Sequence, residues 1–448
     1  MEKGLRKQIF VSREFLRRVR PAKWVLLGYA WYILIGWVLL CMPFSVKVPG
    51  VSPLDHLFTA TSAVSTTGLT TVSVSDTYTL IGQLIVLSLI QLGGIGYMTF
   101  GSFIILAGKR TLTETRVGVS RAVFSLPESL NLAQFIKGVI VFTFVIELIG
   151  ALSLYGVFRA AGQADAVWSS VFHSISSFCT AGFSLYNSSF ETYKDNFWLH
   201  LVVGGLSYIG AIGFIVCLDC WNTVSGRVGA ITLTSKIILW TTCSMTVVGT
   251  LLIAVGEPSL GDQPLDVRIL EAFFQAMTAM TTVGFNTVGI GGLSKATVLV
   301  LIVLMVIGSS PSGTGGGLKC TTFSAFLGVM RSAIRGRQEV RFWDRPIPVE
   351  RVWTAVASVG FYLMALILGT YLLDMTEASR FDQNFFEAAS ALGTVGLSMG
   401  ITGALTNVGK VIVILLMFCG RLGPLTFGMA LFGRSEESRI KRDSDLAV

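Results

Sequence analysis

The pattern of hydrophobic and polar positions along this chain repeats four times. Each unit begins with a long apolar segment, and these segments lie at about 24–46, 134–158, 233–255 and 352–373. A short apolar stretch follows, and a second long segment ends each unit, at about 78–107, 197–220, 297–330 and 406–433. A helix needs about 20 residues to cross a hydrocarbon core of about 30 Å. We therefore predict eight spanning helices, and four short helices that enter the membrane and turn back.

Each short stretch ends in the same combination of threonine and glycine. The glycines are Gly68, Gly182, Gly284 and Gly396. A threonine stands two positions before each of them, at Thr66, Thr180, Thr282 and Thr394. A small hydroxyl residue that allows close helix packing stands six positions before each glycine, at Ser62, Ser176, Thr278 and Ser390. The glycines are 114, 102 and 112 residues apart (68 to 182, 182 to 284 and 284 to 396), and such self-similarity indicates a repeat architecture.

Backbone that is not helical is tolerated at membrane depth only against protein or water, because lipid cannot hydrogen-bond its N–H and C=O groups. Four re-entrant segments are therefore expected to meet at one wet cavity. The predicted fold is all-α and integral to the membrane. It has four helix–pore loop–helix repeats around one central pore, in a pseudo-four-fold, potassium-channel-like arrangement.

The composition agrees with a membrane protein. The chain is 52% hydrophobic and 13% charged, whereas soluble domains carry about 25% charged residues. Its net charge of +8 comes from basic clusters between the repeats, while the loops inside the repeats are richer in acids. The positive-inside rule then places the clusters and both termini on the cytoplasmic side of the membrane. The charge is explained by topology, so nucleic-acid binding is not indicated.

These boundaries divide the chain into eight parts. They are a basic arm (1–23), repeat 1 (24–107), a cytoplasmic loop (108–132), repeat 2 (133–220), repeat 3 (221–330) with an intramembrane loop (308–318), a cytoplasmic loop (331–351), repeat 4 (352–433) and a cytoplasmic tail (434–448).

The four Thr-x-Gly segments predict a cation filter. Glycine permits positive φ, so successive carbonyls can turn to one side without a Cβ in the way. Rings of carbonyl oxygens can replace the water shell of an ion, with threonine hydroxyls as further ligands. The candidate filter residues are Thr66, Thr67, Gly68, Thr180, Ala181, Gly182, Thr282, Val283, Gly284, Thr394, Val395 and Gly396. A glycine motif for helix packing is the simpler alternative, but it does not explain four copies in fixed register.

The second long segment of the third repeat contains a run of small residues. The run cannot stay helical, since Gly costs about 1 and Pro about 3 kcal/mol against Ala. It fails the GxxxxGK[ST] pattern of a phosphate-binding loop, and we predict an unwound loop that obstructs the pore under the filter. Its candidate gate residues are Gly308, Ser309, Ser310, Pro311, Ser312, Gly313, Thr314, Gly315, Gly316, Gly317 and Lys319. For the glycines at matching depth elsewhere we expect mere kinks: Gly93, Gly94, Gly96, Gly210, Gly213 and Gly423.

Two charged residues fall deep inside apolar segments. Arg421 lies 25 residues after Gly396, where an unpaired arginine costs about 2.5–3.5 kcal/mol on insertion scales. We expect it to pair with carbonyls and hydroxyls of the gating loop and count it among the gate residues. Glu147 is expected to bond between helices, and a role on the ion path is the alternative.

The four repeats with one filter glycine each resemble the Trk/Ktr/HKT superfamily of potassium transporters, and within it the membrane subunits of bacterial Ktr systems. The resemblance implies potassium uptake through one pore per chain. It implies K⁺ at the filter carbonyls only, and a gate formed by the loop and Arg421. Gly68 stands where some sodium-transporting plant relatives have serine, which favours potassium. One glycine per loop predicts looser selection against sodium than in tetrameric channels.

The resemblance also implies partners. The chain itself is expected to hold no cofactor, only K⁺ and, in a sodium-dependent system, Na⁺ as transported or activating ions. A homodimer is implied on a cytosolic ring of RCK (KtrA-like) subunits that bind ATP, ADP or NAD(H). The candidate contact surfaces are 108–122, 331–351 and 434–448.

Two other functions are weighed against the pore. An ion-coupled secondary transporter of another cation such as sodium would show inverted repeats, whereas every loop here enters from the same side. An intramembrane enzyme would need a catalytic motif, and the chain has neither GxSxG nor HExxH. We therefore expect no enzymatic activity.

Overall fold

The computed structural model describes residues 21–96, 132–311, 313–337, 339–343, 345–423 and 426–428. Three predicted parts lie almost entirely outside these residues: the basic arm, the loop 108–132 except its last residue, and the tail 434–448. So does Ser312 of the predicted gate. Within the described part the chain is mostly helical, in an order of long helix, short helix and second helix that recurs four times.

The first half of the chain supplies eight α-helices of the described part. They are α1 (Pro21–Leu40), α2 (Pro53–Val64), α3 (Val74–Thr77), α4 (Leu80–Ile95), α5 (Leu132–Ala160), α6 (Ala166–Phe178), α7 (Phe197–Ile212) and α8 (Phe214–Val224). The second half adds α9 (Leu233–Gly256), α10 (Leu265–Met280), α11 (Lys295–Val306), α12 (Cys320–Ile334), α13 (Val349–Thr376), α14 (Phe381–Gly393) and α15 (Asn407–Leu422).

Short strands and 3₁₀ helices complete the described elements. Strand β1 (Ile307–Gly308) pairs in parallel with β2 (Leu318–Lys319), and β3 (Arg341–Phe342) pairs antiparallel with β4 (Arg345–Pro346). The 3₁₀ helices are Pro43–Ser45, Glu191–Tyr193, Pro258–Leu260, Ile290–Gly292 and Thr402–Ala404.

The long helices differ from the eight spanning helices that the pattern predicts. Among the described residues, three helices are long and apolar enough to cross a membrane alone: Ile136–Ala160 within α5, α9 and α13. Helices α7 and α8 together make a fourth candidate, but they meet at an angle of 97°. The prediction of a mere kink at Gly213 is therefore wrong.

The second helices end at glycines in three of the four units. Gly96, Gly213 and Gly423 follow α4, α7 and α15 with φ of 87°, 87° and 83°. A positive φ ends the i→i−4 ladder of an α-helix, and glycine adopts it at little cost. In the third unit the chain instead leaves α11 through β1. The sequence predicted an interruption only in the second long segment of the third unit. In the structure, the second helix of each of the four units ends before the predicted segment does.

The short helices lie at the centre of the packing. Their phenylalanines ten residues before each filter glycine are fully buried, at Phe58, Phe172, Phe274 and Phe386. The two largest hydrophobic clusters join the first unit to the second and the third to the fourth, and Phe58 and Leu69 of the first unit belong to the latter cluster. The outward faces stay apolar and exposed, as on Leu152, Leu251 and Ile367. These faces suit contact with lipid.

Candidate functional site

The four Thr-x-Gly segments share one unusual backbone conformation. Their threonines have φ of 52°, 49°, 60° and 51° at Thr66, Thr180, Thr282 and Thr394. A β-branched residue in the left-handed region is a true outlier. Such strain costs about 1–3 kcal/mol at each position and concentrates at functional sites. Its fourfold occurrence marks these segments as the candidate site.

Equivalent hydrogen bonds hold each segment to its short helix. The residue between threonine and glycine donates its N–H to the carbonyl five positions back, over 2.8 Å at Thr67 and Ala181, 3.1 Å at Val283 and 2.9 Å at Val395. Two of the hydroxyls six positions before the glycines also bind the glycine N–H. Ser62 accepts from the N–H of Gly68 over 3.1 Å, and Ser390 accepts from that of Gly396 over 3.0 Å. These hydroxyls bind the segment, beyond the close packing expected of them.

The four glycines stand in a closed ring. A Cβ on Gly68 would meet the carbonyl oxygen of Ala181, and one on Gly182 would meet that of Val283. Likewise a Cβ on Gly284 would meet Val395, and one on Gly396 would meet Thr67 and so return to the first unit. Glycine is thus required both by positive φ and by close approach. We call residues 66–68, 180–182, 282–284 and 394–396 the Thr-x-Gly ring.

A cavity of about 400 Å³ opens on one side of the ring. All four glycines line it, together with Asn187 and Asn286. Asn187 donates to Asp76 over 2.8 Å, and this hydrogen bond is the main cause that holds the pKa of Asp76 below its ordinary value. Asn286 donates to Glu191 over 2.9 Å. Two carboxylates therefore stand beside the cavity, which favours cations.

The loop between β1 and β2 lies on the other side of the ring. The Thr314 carbonyl accepts from the hydroxyl of Thr66 over 3.3 Å, and the Thr314 hydroxyl lies 3.0 Å from that of Thr180. A Cβ on Gly315 or Gly316 would meet the hydroxyl of Thr282 or Thr394. The loop therefore touches all four threonines, and its glycines allow the approach. These gate candidates and the twelve filter candidates come together, while their roles stay predictions.

Helix α7 provides the anchor of this loop. Because α7 stops at Ile212, its last carbonyls lack intrahelical partners. Ala211 accepts from the N–H of Ser310 and Gly210 from that of Thr314, each over 3.0 Å. Lys319 donates to the Gly315 carbonyl over 2.7 Å and holds the loop from its own end. The carbonyls left free at the end of α7 in the second unit thus hold the loop of the third unit.

Arg421 joins three units at the loop. It donates to the Thr314 carbonyl, to the carbonyl of Gly93 on α4, and to the hydroxyl of Thr66 over 2.9 Å. The expected contact with loop carbonyls is present. Glu147 accepts from Gln91 over 2.9 and 3.1 Å, as expected for a bond between helices.

Sequence reasoning missed a set of polar residues behind the ring. Nine positions before the glycines stand His173, Gln275 and Glu387 in the last three units. Each reaches the chain that leaves the ring: His173 lies 3.0 Å from Ser184 Oγ, Gln275 donates to Thr287 over 3.0 Å, and Ser398 donates to Glu387 over 2.8 Å. Thr402 also donates to Glu387, whose side chain is fully buried. The common offset was the signal that could have revealed them.

A buried ion pair was also missed. Lys410 on α15 lies 2.7 Å from Asp55 at the start of α2, with side-chain exposures of 13% and 11%. The pair joins the fourth unit to the first. A lysine inside an apolar segment was its only sequence signal.

Comparison with known proteins supplies the family. The model of the TrkH family, described as a cation transport protein, matches residues 39–436. The chain belongs to this family. It is similar to the Ktr system potassium uptake protein B of Bacillus subtilis, with 35% identity over 95% of both chains. The protein of the same description from Vibrio alginolyticus is 33% identical over 95% of this chain and 94% of the relative.

Two further relatives widen the comparison. The potassium/sodium uptake protein NtpJ of Enterococcus hirae is 32% identical over 96% of both chains. The crystal structure of the potassium transporter TrkH from Vibrio parahaemolyticus matches with a TM-score of 0.72 and 19% identity, over 91% of this chain and 84% of that one. The resemblance drawn from the repeats is confirmed at the level of the family, and the fold is that of a helical membrane protein.

Proposed function

We propose that this chain is the ion-translocating subunit of a potassium uptake system, with one pore that runs through the Thr-x-Gly ring. The observation that carries the proposal is the closed succession of contacts from Gly68 through Gly182 and Gly284 to Gly396 and back. Four re-entrant segments that meet at one axis suit a pseudo-four-fold pore. Two of the relatives described above are named potassium uptake proteins and a third a potassium/sodium uptake protein, and these names favour the ion.

The ring offers the chemistry that a dehydrated cation needs. The carbonyls of Thr67, Ala181, Val283 and Val395 are packed around the axis by the glycines. The C-terminal ends of the four short helices point at the ring, and each carries a partial negative charge of about half an electron. Carbonyls that replace the water shell can hold K⁺, which releases its shell more readily than Na⁺. We assign the twelve ring residues to selectivity.

The loop 308–319 is proposed as the gate. It lies against all four threonines of the ring, where it obstructs the path of an ion. Arg421 and the carbonyls of Gly210 and Ala211 hold it in place. Passage then requires a displacement of the loop, which the isolated chain undergoes only part of the time and which a signal from outside the chain would favour.

That signal is proposed to come from cytosolic RCK subunits. The description of two relatives as parts of a Ktr system implies further components. We assign nucleotide binding (ATP, ADP or NAD(H)) to those components, and we propose that two copies of this chain sit on them. We propose that the chain crosses a bacterial plasma membrane several times and that both termini lie on the cytoplasmic side.

Coupling to sodium is the second candidate function. The description of the Enterococcus hirae relative as a potassium/sodium uptake protein favours it. In that case the chain would carry or require Na⁺ as well as K⁺.

Flux from proteoliposomes tests both proposals. The purified chain is reconstituted in K⁺-loaded vesicles, and K⁺ efflux into a sodium-free medium is followed by the quenching of a proton-sensitive dye. We expect efflux down the K⁺ gradient without Na⁺. Efflux that appears only with an opposing Na⁺ gradient would favour coupling, and equal leakage of both ions at all gradients would refute selectivity.

A further inference from the structure

A second cavity, of about 470 Å³, is lined by none of the residues of the Thr-x-Gly ring or of the loop beside it. Arginines and tryptophans dominate its lining: Trp240, Arg331, Arg335, Arg337, Arg341 and Trp343. We call it the arginine cavity. No acidic residue is among the described residues that line it.

The fold builds this cavity from three elements. Helix α12 ends at Ile334, the chain reverses at Gly336 with φ of 63°, and the hairpin of β3 and β4 returns against the helix. Gly328 makes the return possible, because a Cβ there would meet Val340 and Phe342. The N–H of Arg337 donates to the Ser332 carbonyl over 2.9 Å and closes the reversal. The arginines are therefore held on one concave surface.

Among the described residues, the charge of the cavity is largely uncompensated. Arg341 pairs with Glu339 over 2.8 Å. Within the described part of the chain, Arg331, Arg335 and Arg337 form no ion pair. A guanidinium offers a planar fork of donors that matches the oxygens of a phosphate and can bind them bidentately. Several such forks around one cavity favour an anion with more than one charged oxygen.

The position of the cavity favours a ligand from the membrane. Trp240 lies in the first turns of α9, one of the membrane-spanning helices, and is 69% exposed; Trp343 is 56% exposed. Exposed tryptophans are enriched at the level of lipid headgroups. Leu327, Met330 and Ile334 are exposed on the same helix as Arg331 and Arg335. Their spacing of three and four residues places them on one face of α12.

We propose that the arginine cavity binds the phosphate headgroup of an anionic phospholipid, whose acyl chains lie along Leu327, Met330 and Ile334. Basic pockets at the ends of membrane helices recognise such headgroups through their charge. A cytosolic protein with an acidic surface could use the arginines, but it would leave the apolar face of α12 unexplained. The lipid uses both features.

Native mass spectrometry of the full chain in detergent tests this proposal. Phosphatidylglycerol and phosphatidylcholine are titrated in parallel into wild type, the double variant Arg335→Gln/Arg337→Gln, and the control Arg351→Gln. Arg351 is an exposed arginine of the same basic region that does not line the cavity. We expect wild type and control to prefer phosphatidylglycerol. The affinity of the double variant for phosphatidylglycerol should fall about 30-fold, because two arginines near a membrane surface, at on the order of 1 kcal/mol each, together contribute about 2 kcal/mol.

Three results would overturn the proposal. The first is an equal loss in the Arg351→Gln control, which would indicate unspecific attraction. The second is binding of inorganic phosphate as tight as that of the lipid, which would make the cavity a site for a free anion. The third is unchanged lipid binding in the double variant with loss of a cytosolic partner in pull-down, which would assign the arginines to protein docking. Equal melting temperatures without added lipid exclude a folding defect as the cause of any loss.

Discussion

The substitution Gly284→Ala tests the geometry of the ring with a single methyl group. Gly284 has φ of +79°, where an L-residue costs about 1–2 kcal/mol. Its Cβ would lie 2.8 Å from the carbonyl carbon of Val395 and 3.0 Å from the Cα of Gly396, and still closer to the Val395 oxygen. Relieving such overpacking costs about 1–3 kcal/mol more. The total of about 2–5 kcal/mol is enough to displace the Val395 carbonyl.

A displaced carbonyl changes the binding of the two ions unequally, because K⁺ and Na⁺ differ in size and in the cost of losing water. A difference of about 1.4 kcal/mol between them corresponds to a factor of ten. We therefore expect the ratio of K⁺ to Na⁺ flux to fall by about tenfold or more, as measured in proteoliposomes and by growth of a K⁺-auxotrophic strain in limiting K⁺.

The chain offers a matched control in the same unit. Gly292 lies eight residues further on, has no positive φ, and a Cβ there would meet nothing within 4 Å. Gly292→Ala should leave the flux ratio unchanged. If Gly284→Ala folded normally and kept the wild-type ratio of K⁺ to Na⁺ flux, the carbonyls of the ring would not select the ion. The coupled transporter would then become the favoured function.

Three further predictions concern the surroundings of the ring. Arg421→Gln should raise K⁺ flux through the isolated chain about tenfold or more, because the charged hydrogen bond that holds the loop contributes about 1.5–3 kcal/mol; unchanged flux in proteoliposomes would separate the arginine from the gate. Glu387→Gln keeps the shape but replaces one of the two carboxyl oxygens that accept from Ser398 and Thr402 by an amide donor, so we expect a lower K⁺ to Na⁺ flux ratio. Glu387→Asp keeps both acceptors and should retain part of the wild-type ratio; equal ratios in all three proteins would contradict a positioning role. Asp76→Asn should slow uptake at low ionic strength. The hydrogen bond from Asn187 lowers the pKa of Asp76. The wild-type carboxylate therefore stays ionised as the pH falls through the ordinary aspartate range, and its negative charge, with its effect on uptake, is lost only at lower pH. Asn187→Ala should move this loss to higher pH in flux measured against external pH, and an unshifted profile would refute the pairing.

The repeats and the ring residues could be predicted because their signals are local. A fixed offset between Phe386, Ser390, Thr394 and Gly396 spans little more than a helix, and it recurs in each unit. Amphipathic patterning and the conformational freedom of glycine both depend on residues within that distance along the chain. The left-handed threonines could not be predicted, since Thr-x-Gly does not reveal that its first residue takes a positive φ. Only the packed ring imposes that strain.

Contacts between units could not be predicted for a different reason. Asp55 and Lys410 are 355 residues apart, and they meet only because the fourth unit closes against the first. The bend at Gly213 is similar. A glycine in an apolar helix permits a bend without requiring one, and here the bend exposes the carbonyls that receive the loop. The prediction of a mere kink at Gly213 was wrong because it considered each helix without its neighbours in other units.

The two sides of the ring differ in symmetry, and this difference bears on how the proposed gate opens. Towards the ring cavity the four units present equivalent glycines. Towards the loop, Thr66 and Thr180 bond to Thr314, while the hydroxyls of Thr282 and Thr394 have no hydrogen-bond partner within the described residues. The loop is therefore held at the first two units and merely touches the last two.

An opening motion that lifts the loop from the first two units must break those bonds and the contacts of Arg421. Each neutral hydrogen bond contributes only about 0.5–1.5 kcal/mol net. Two such bonds and the charged bond from Arg421 to the Thr314 carbonyl, which contributes about 1.5–3 kcal/mol, together oppose the motion by about 2.5–6 kcal/mol. An allosteric partner that supplies about 1–3 kcal/mol would therefore offset part of this hold and raise the population of the displaced loop in the proposed gate. A symmetric attachment to all four threonines would add bonds that every opening had to break.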